Sequence, residues 1–285
     1  MGALAAAGVT EVTLLGQNVN SYGRDLTLAA RQGGAADVRV QPLFADLLRQ
    51  VGAVPGIRRV RYTSPHPKDL RPDTIAAMAE VPTVCEHLHY PLQSGSDRVL
   101  AVMHRGYTAE RYLAKLALAR AALPDLAVST DIIVGFPGET DDDFAGTLEV
   151  AAAAVYDYAY TFIFSPRPGT EAAGMIEHFV DPAVASERFA RLRVVVERSA
   201  LAKHRERIGR VEEVLVEGPS KKDAAVTSGR TRQNKLVHFR TERPLRAGAY
   251  ATVEITDAAP HHLLGRFVEL VAEPSHKVRI AVMAR

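Results

Sequence analysis

Polar side chains able to bind a ligand or move a proton gather in five short segments shaped by Gly or Pro. These are Gly16-Gln17-Asn18-Val19-Asn20-Ser21-Tyr22-Gly23, Thr63-Ser64-Pro65-His66-Pro67, Pro91-Leu92-Gln93-Ser94-Gly95-Ser96-Asp97, Gly135-Phe136-Pro137-Gly138-Glu139-Thr140 and Ser165-Pro166-Arg167-Pro168-Gly169-Thr170. Amides, hydroxyls, a carboxylate and a guanidinium offer donors and acceptors together, which suits a polar ligand with purine- or amino-acid-like hydrogen bonding. His66 stands between two prolines, where a rigid turn aims its ring. Other clusters have plainer readings. Asp141-Asp142-Asp143 follows Thr140, and acids in the first turn of a capped helix answer its dipole rather than a metal. His87 and His89 alternate with Leu88, share one face, and read as packed or exposed rather than metal-binding. Cys85 reads as a buried small hydrophobe. No Ser-His-Asp or Cys-His arrangement, P-loop or G-x-G-x-x-G stands out.

Each of the five segments follows a β-rich run. Strands are expected at 9–15, 57–62, 86–90, 127–134 and 158–164, with helical patterns at 43–51, 73–79, 97–103, 109–122 and 141–154. The alternation predicts parallel βαβ units, and runs such as Ile132-Ile133-Val134 predict strands buried on both faces. Five units are too few for a closed eight-stranded barrel of about 250 residues. Residues 1–178 are therefore expected to form an open or partial (β/α) barrel, an α/β fold whose strand-exit loops converge on one face. The first loop opens a connection of about 25 residues, longer than a structural link needs. Residues 3–7 and Gly8 resemble the last turns of a helix with a glycine stop, so the start reads as internal to a fold. An unpaired edge at 9–15 would expose backbone groups and lower solubility.

From Asp181 a long helix is expected, capped by Asp181 and Pro182 and ended at Gly209. Phe189, Leu192, Val196 and Ala200 form its apolar stripe. Between Ser186 and Arg210 eight basic residues stand against three acids, net +5, and the plain reading is a solvated face of a linker helix over 179–209. Residues 210–272 turn all-β, with strands expected at 211–216, 225–229, 235–239, 250–255 and 264–271, which predicts a small barrel. Ten basic residues there face eight acids. Arg230, Arg232, Lys235 and Arg240, with the ring of Phe239, could track RNA phosphates and stack one base. Residues 273–285 read as a basic tail.

Composition bounds the rest. The 285 residues are 47% apolar and 24% charged, with 35 Lys and Arg against 33 Asp and Glu, which excludes a disordered or polybasic chain. No apolar run approaches the roughly 20 residues that span a bilayer, and no signal peptide stands at the start, so a cytoplasmic protein without membrane contact is expected. One cysteine cannot form an internal disulfide or hold an iron–sulfur cluster or structural zinc, so no metal site is expected.

Six ordered motifs carry a resemblance: Leu15-Gly16-Gln17-Asn18-Val19-Asn20-Ser21-Tyr22-Gly23, Ser64-Pro65-His66-Pro67, Leu92-Gln93-Ser94-Gly95-Ser96-Asp97, Met103-His104-Arg105-Gly106-Tyr107-Thr108, the run from Asp131 to Thr140, and Phe164-Ser165-Pro166-Arg167-Pro168-Gly169-Thr170. In order and spacing they resemble the radical S-adenosylmethionine methylthiotransferases over about residues 3–272. The Gly-Gln-Asn-Val-Asn form is most similar to the tRNA branch, and the closing β module resembles a TRAM domain, an RNA-binding barrel. The resemblance implies a partial radical SAM barrel followed by a TRAM-like barrel. It also implies S-adenosylmethionine as cofactor, two 4Fe-4S clusters, and methylthiolation at carbon 2 of an N6-isopentenylated adenosine beside the tRNA anticodon, by a monomer.

Carried over by position, Ile133, Gly135 and Glu139 match the strand and turn along the cofactor's adenine. Gln17, Asn18, Gln93, Ser94, Arg105 and Asp131 are implied partners of its methionyl and ribose ends. Arg167 and Thr170 are implied to face the substrate adenine; His66, and Arg230, Arg232, Lys235 and Arg240 in the barrel, are read from their own positions as further substrate-binding residues. The family's Cys-x3-Cys-x2-Cys loop and its N-terminal domain with three more cysteines have no counterpart here, and Cys85 replaces neither. This chain alone is expected to hold no cluster and to be inactive, as a fragment or late-start product. A non-enzymatic RNA-binding remnant, or a methylthiotransferase for threonylcarbamoyl-adenosine or a ribosomal protein, remains open.

Overall fold

Parallel strands alternate with helices through the first part of the chain, in the α/β arrangement expected from the sequence. The computed structural model describes residues 1–35 and 37–274, so the expected tail lies outside the described residues from 275 onward. Strand β1 (Glu11–Leu14) pairs with β2 (Arg59–Tyr62), and β3 (His87–His89), β4 (Ala127–Val134) and β5 (Tyr158–Ile163) pair in order, all parallel. A single bridge, Val60 to Val84, stands where a β2–β3 ladder would be. Among the described residues no strand pairs with the outer edge of β1.

Helices α1 (Gly2–Ala6), α2 (Arg24–Gln32), α3 (Phe44–Gly52), α4 (Pro72–Glu80), α5 (Asp97–Val102), α6 (Ala109–Ala122) and α7 (Asp141–Ala154) fill the connections. The bounds of α6, β4 and α7 agree with the sequence reading, because each carries its own signals. Thr108 accepts from the Arg111 amide, and Thr140 and Asp143 close a reciprocal capping box, so the acidic triplet starts a helix. Helix α2 was not expected. It lies inside the long first connection, capped only by Gly23 in a left-handed conformation.

Strand alternation divides the sheet into two faces. Val12, Val60, Tyr62, Leu88, Val128, Ile132 and Val134 join Leu48, Met78, Leu116 and Phe144 from the helices in one core. The opposite, concave face carries Arg59, Arg61, His87, His89, Ser129, Asp131, Ile133, Tyr160 and Phe162, the polar and aromatic lining of an open barrel.

Helix α8 (Pro182–Arg205) packs along β5 and α7, capped by Asp181 and Pro182 as expected but ending four residues before Gly209. Leu192, Val196 and Ala200 are buried, with Phe189 partly so. The basic run is not a solvated face throughout. Arg188 is buried against Glu139 and Asp141, and Arg207 is buried against Glu212 and Asp125. A guanidinium enters a core when carboxylates and carbonyls fill its fork.

The second unit is a closed barrel of β6 (Val211–Pro219), β7 (Thr227–Arg230), β8 (Leu236–Arg240), β9 (Tyr250–Ala259) and β10 (His262–Ala272), in the order β10-β8-β7-β6-β9. Val214, Val216, Val237, Phe239, Val253, Ile255 and Leu263 fill it. The ring of Phe239 is therefore core, stacked 6.4 Å from Phe267, and not an outward platform for a base.

Candidate functional site

The strand-exit loops form one end of the sheet but divide into two groups. The loops after β1 and β2 lock onto each other. Asn18 Nδ2 and Ser21 Oγ each donate to Asp69 Oδ2 at 2.7 Å, and Asn20 exchanges hydrogen bonds with the His66 backbone at 2.8 and 3.0 Å. Burial would raise the Asp69 carboxyl, but the bonds from Ser21 and Asn18 outweigh it and hold it below the usual carboxylate range. His66 accepts from the Lys68 amide and sets its ring edge-on to Tyr107. Burial, then Arg105, lowers its pKa. Gln17 is exposed. None of Gln17, Asn18 or His66 lines the cavity formed by the second group.

That cavity, of about 670 Å³, lies beyond β3, β4 and β5. Gln93 enters it from a left-handed backbone, φ 66°, while its amide and carbonyl extend the ladder to Asp131 and Ile133 at 2.8 and 2.9 Å. Asp131 and Ile133 arrive two residues apart on β4, on one face. Phe136, Phe162 and Phe164 supply an aromatic wall, with the Phe136 and Phe164 rings 5.3 Å apart, edge to face. Arg105 follows α5, and its buried Nε has no hydrogen-bond partner among the described residues. Arg167 and Thr170 stand at the rim, where Thr170 caps the turn at Glu171–Gly174. Of the residues carried over by resemblance, the fold thus brings together Gln93, Arg105, Asp131, Ile133, Arg167 and Thr170.

Three others stand behind the cavity. Ser94 is fully buried, bonding to Thr147 and the Ser96 amide. Glu139 Oε2 accepts from the Gly135 amide at 2.8 Å and from Arg188 at 2.9 Å, and burial still pushes its carboxyl up. Gly135 has φ 70°, and a Cβ there would come within 2.9 Å of Ala185. Gly135 and Glu139 therefore anchor α8, while Phe136 between them lines the cavity.

The barrel packs under the opposite, N-terminal ends of the strands. Arg232 bonds Glu86 and the carbonyls of Pro82 and Val84, all at 2.8 Å, and buried Lys235 meets Asp157 at 2.6 Å. Arg59 and Arg61 donate to carbonyls of residues 213 and 230–232. Arg230 bonds Glu217 and the Asn234 carbonyl. Arg232 and Lys235 thus join the two units instead of facing outward. Arg240 is exposed, paired with Asp223, and lines a second cleft of about 850 Å³ with Arg243 and Arg266. The sequence reading missed this polar interface, although Glu86, Asp125 and Asp157 each precede a strand by one or two residues. It also missed the aromatic wall, which Phe162 announces by alternating with Tyr158 and Tyr160.

Cys85 is buried two residues before β3, at the end of the sheet away from the cavity. It offers one thiol, which burial makes harder to ionise, so this chain's own side chains do not fit a 4Fe-4S cluster. The cavity fits an adenosyl amino acid better: an apolar wall for a base, Asp131 for hydroxyls and an unpartnered guanidinium for a carboxylate. No helix among the described residues is long and apolar enough to cross a membrane.

The profile of the Radical SAM superfamily matches residues 1–151, and that of the TRAM domain matches residues 205–268. The tRNA-2-methylthio-N(6)-dimethylallyladenosine synthase of Acidothermus cellulolyticus is 53% identical over 264 residues, covering 92% of this chain and 50% of its own length. The protein of the same name from Nocardia farcinica is 51% identical over 268 residues, covering 92% and 52%. This chain spans about half the length of these curated relatives. Among solved structures, the radical SAM enzyme coproporphyrinogen III oxidase (HemN) of Escherichia coli aligns over 80% of this chain and 69% of its own, at 12% identity and a TM-score of 0.47.

Proposed function

The chain belongs to the radical SAM superfamily, and from that premise we propose that it is the cofactor-seating and RNA-facing part of a tRNA methylthiotransferase. The substrate class is an isopentenylated adenosine beside the anticodon. The relatives that share about half its residues carry that activity in their names. The observation that carries the cofactor reading is the meeting, in one cavity, of Arg105, whose buried Nε has no hydrogen-bond partner among the described residues, Asp131 and an apolar wall of Ile133 and three phenylalanines.

S-adenosylmethionine, when bound, would supply a methyl group and, on one-electron reduction by a cluster that this chain's own side chains do not hold, a 5′-deoxyadenosyl group as radical. The chain's own residues seat and orient it. Ile133 and the phenylalanines pack the base and exclude water, Asp131 accepts from hydroxyls, and Arg105 pairs the carboxylate. Arg167 and Thr170, at the rim, face the incoming adenosine. Arg240 in the barrel's cleft supports phosphate contact. A cytoplasmic location is consistent with a tRNA substrate.

Because its side chains do not fit a cluster, the chain alone binds cofactor and RNA without catalysing the transfer. The same observation favours a second reading, a non-enzymatic RNA-binding product. Calorimetry with S-adenosylhomocysteine tests the seat: micromolar binding supports it, and no binding at millimolar ligand overturns it. Iron bound after anaerobic reconstitution tests catalytic incompleteness, which about four irons per chain would overturn. A tRNA gel shift that weakens steeply with salt is expected under either reading.

A further inference from the structure

The concave face of β3 and β4 carries a row of side chains that the cavity alone does not explain. His87 Nε2 lies 3.1 Å from Ser129 Oγ, Ser129 Oγ lies 2.9 Å from His89 Nδ1, and His89 Nε2 lies 3.2 Å from Asp131 Oδ2. Register creates the row: His87 pairs with Ala127 and His89 with Ser129, so Ser129 meets both imidazoles and Asp131 follows one step on. Its lower end opens into a separate cavity of about 270 Å³ between the two units, lined also by Tyr158, Asn234 and Lys235. Its upper end is Asp131, inside the ligand cavity. Tyr160 packs edge-on to His89.

Ser129 has a single hydrogen, and this sets a direction. A carboxylate only accepts, so His89 presents Nε2–H to Asp131. A neutral His89 then has a bare Nδ1, which accepts from Ser129, and Ser129 in turn accepts Nε2–H from His87.

We propose that His87, Ser129 and His89 form a tautomer-locked positioning relay that orients Asp131 as a hydrogen-bond acceptor facing the ligand cavity, so that the ligand group opposite it is a hydrogen-bond donor. Arg61 on β2, and Arg230 and Lys235 around the β7–β8 turn, stand beside His87, with Tyr158 and Tyr160 on β5, Asp157 ahead of it, and His204 and His261 also lining the cavity. Burial first, and then Arg61, His89, Lys235 and Arg230, push the His87 pKa down to about 3 and keep it a neutral donor. The barrel's turn thereby bears on the hydrogen-bond pattern that reaches the Asp131 carboxylate. Only the ligand arm of this inference rests on the adenosyl reading of the cavity.

Side-chain proton–nitrogen correlation spectra of the full chain at pH 7, assigned with His87→Gln and His89→Gln, read the tautomers directly. Both imidazoles are expected to carry hydrogen on Nε2 alone. Ser129→Ala should turn His87, which loses its acceptor, into a tautomer mixture while Asp131 keeps His89 on Nε2–H, and should weaken S-adenosylhomocysteine binding about fivefold; Ser129→Thr should restore the His87 tautomer and the affinity, with an unchanged His204 signal reporting an intact fold. A doubly protonated His89, an Nδ1–H tautomer of either histidine, or a Ser129→Ala variant with His87 unaltered overturns the relay. If the wild-type chain binds no S-adenosylhomocysteine, the adenosyl reading fails, while the tautomers still decide the relay.

Discussion

At the lower end of the parallel sheet, Arg59, Arg61, Arg232 and Lys235 each reach a carboxylate or a backbone carbonyl, whereas at the upper end Arg105 lies beside a cavity with its buried Nε unpaired. Arg59 Nε also lacks a hydrogen bond, and Arg61 Nε stands 3.2 Å from Glu11 Oε1, but the terminal nitrogens of both find acceptors across the interface. The same residue type therefore does two jobs in one sheet. Below, cations are satisfied within the chain and fix one unit on the other. Above, an unsatisfied cation and an outward carboxylate leave hydrogen-bonding capacity for a ligand, as functional sites do where local satisfaction is set aside.

Removing a satisfied cation is the severest way to break that contrast. Lys235→Met leaves Asp157 with only the Val128 amide, and an unfolding cost of about 3–5 kcal/mol is expected from urea denaturation. A loss under 1 kcal/mol would mean the lower end does not hold the units together.

Acid provides the next largest effect. His204, whose Nδ1–H donates to the Ala259 carbonyl at 2.6 Å, is pushed down to about 4 by burial and then by Lys235. The unfolded chain binds that proton more readily, so stability falls as pH drops from about 6.5 toward 4. His204→Gln should flatten this slope by about 1.4 kcal/mol per pH unit, read from urea midpoints across that range.

Not all of the upper end is open. A Cβ on Gly95 would lie 2.4 Å from the Gly146 carbonyl oxygen, so α7 has to shift in Gly95→Ala. A cost of about 1–3 kcal/mol in thermal or urea unfolding is expected. The smallest structural effect belongs to Arg105→Gln, where stability should change by less than about 0.5 kcal/mol while S-adenosylhomocysteine affinity falls about tenfold. A large stability loss there would erase the difference between the two ends.

Elements with local signals were legible before any coordinates. The apolar run Ile132–Val134 marked β4, and Thr140 marked the start of the helix after it. Helix α2 carried only a glycine cap and a largely exposed apolar content, so its nine residues read as loop. In the candidate site, Asp131 and Ile133 were readable as neighbours because alternation alone puts them on one face. Glu139 was misread as ligand-facing because nothing in its neighbourhood announces Arg188, 49 residues away. Arg232 and Lys235 were misread in the same way, since the acids that bind them lie 146 and 78 residues distant.

Residue order alone determined the alternation of strands and helices, the capped starts of the helices and the grouping of polar residues after each strand, because all of these follow from chemistry within a few positions. Only the tertiary structure decided which of those loops share a cavity, which cations are already occupied, and that Ser129 stands between two imidazoles. Those facts depend on strand register and on contacts between distant segments, where one step along a strand turns a side chain to the opposite face.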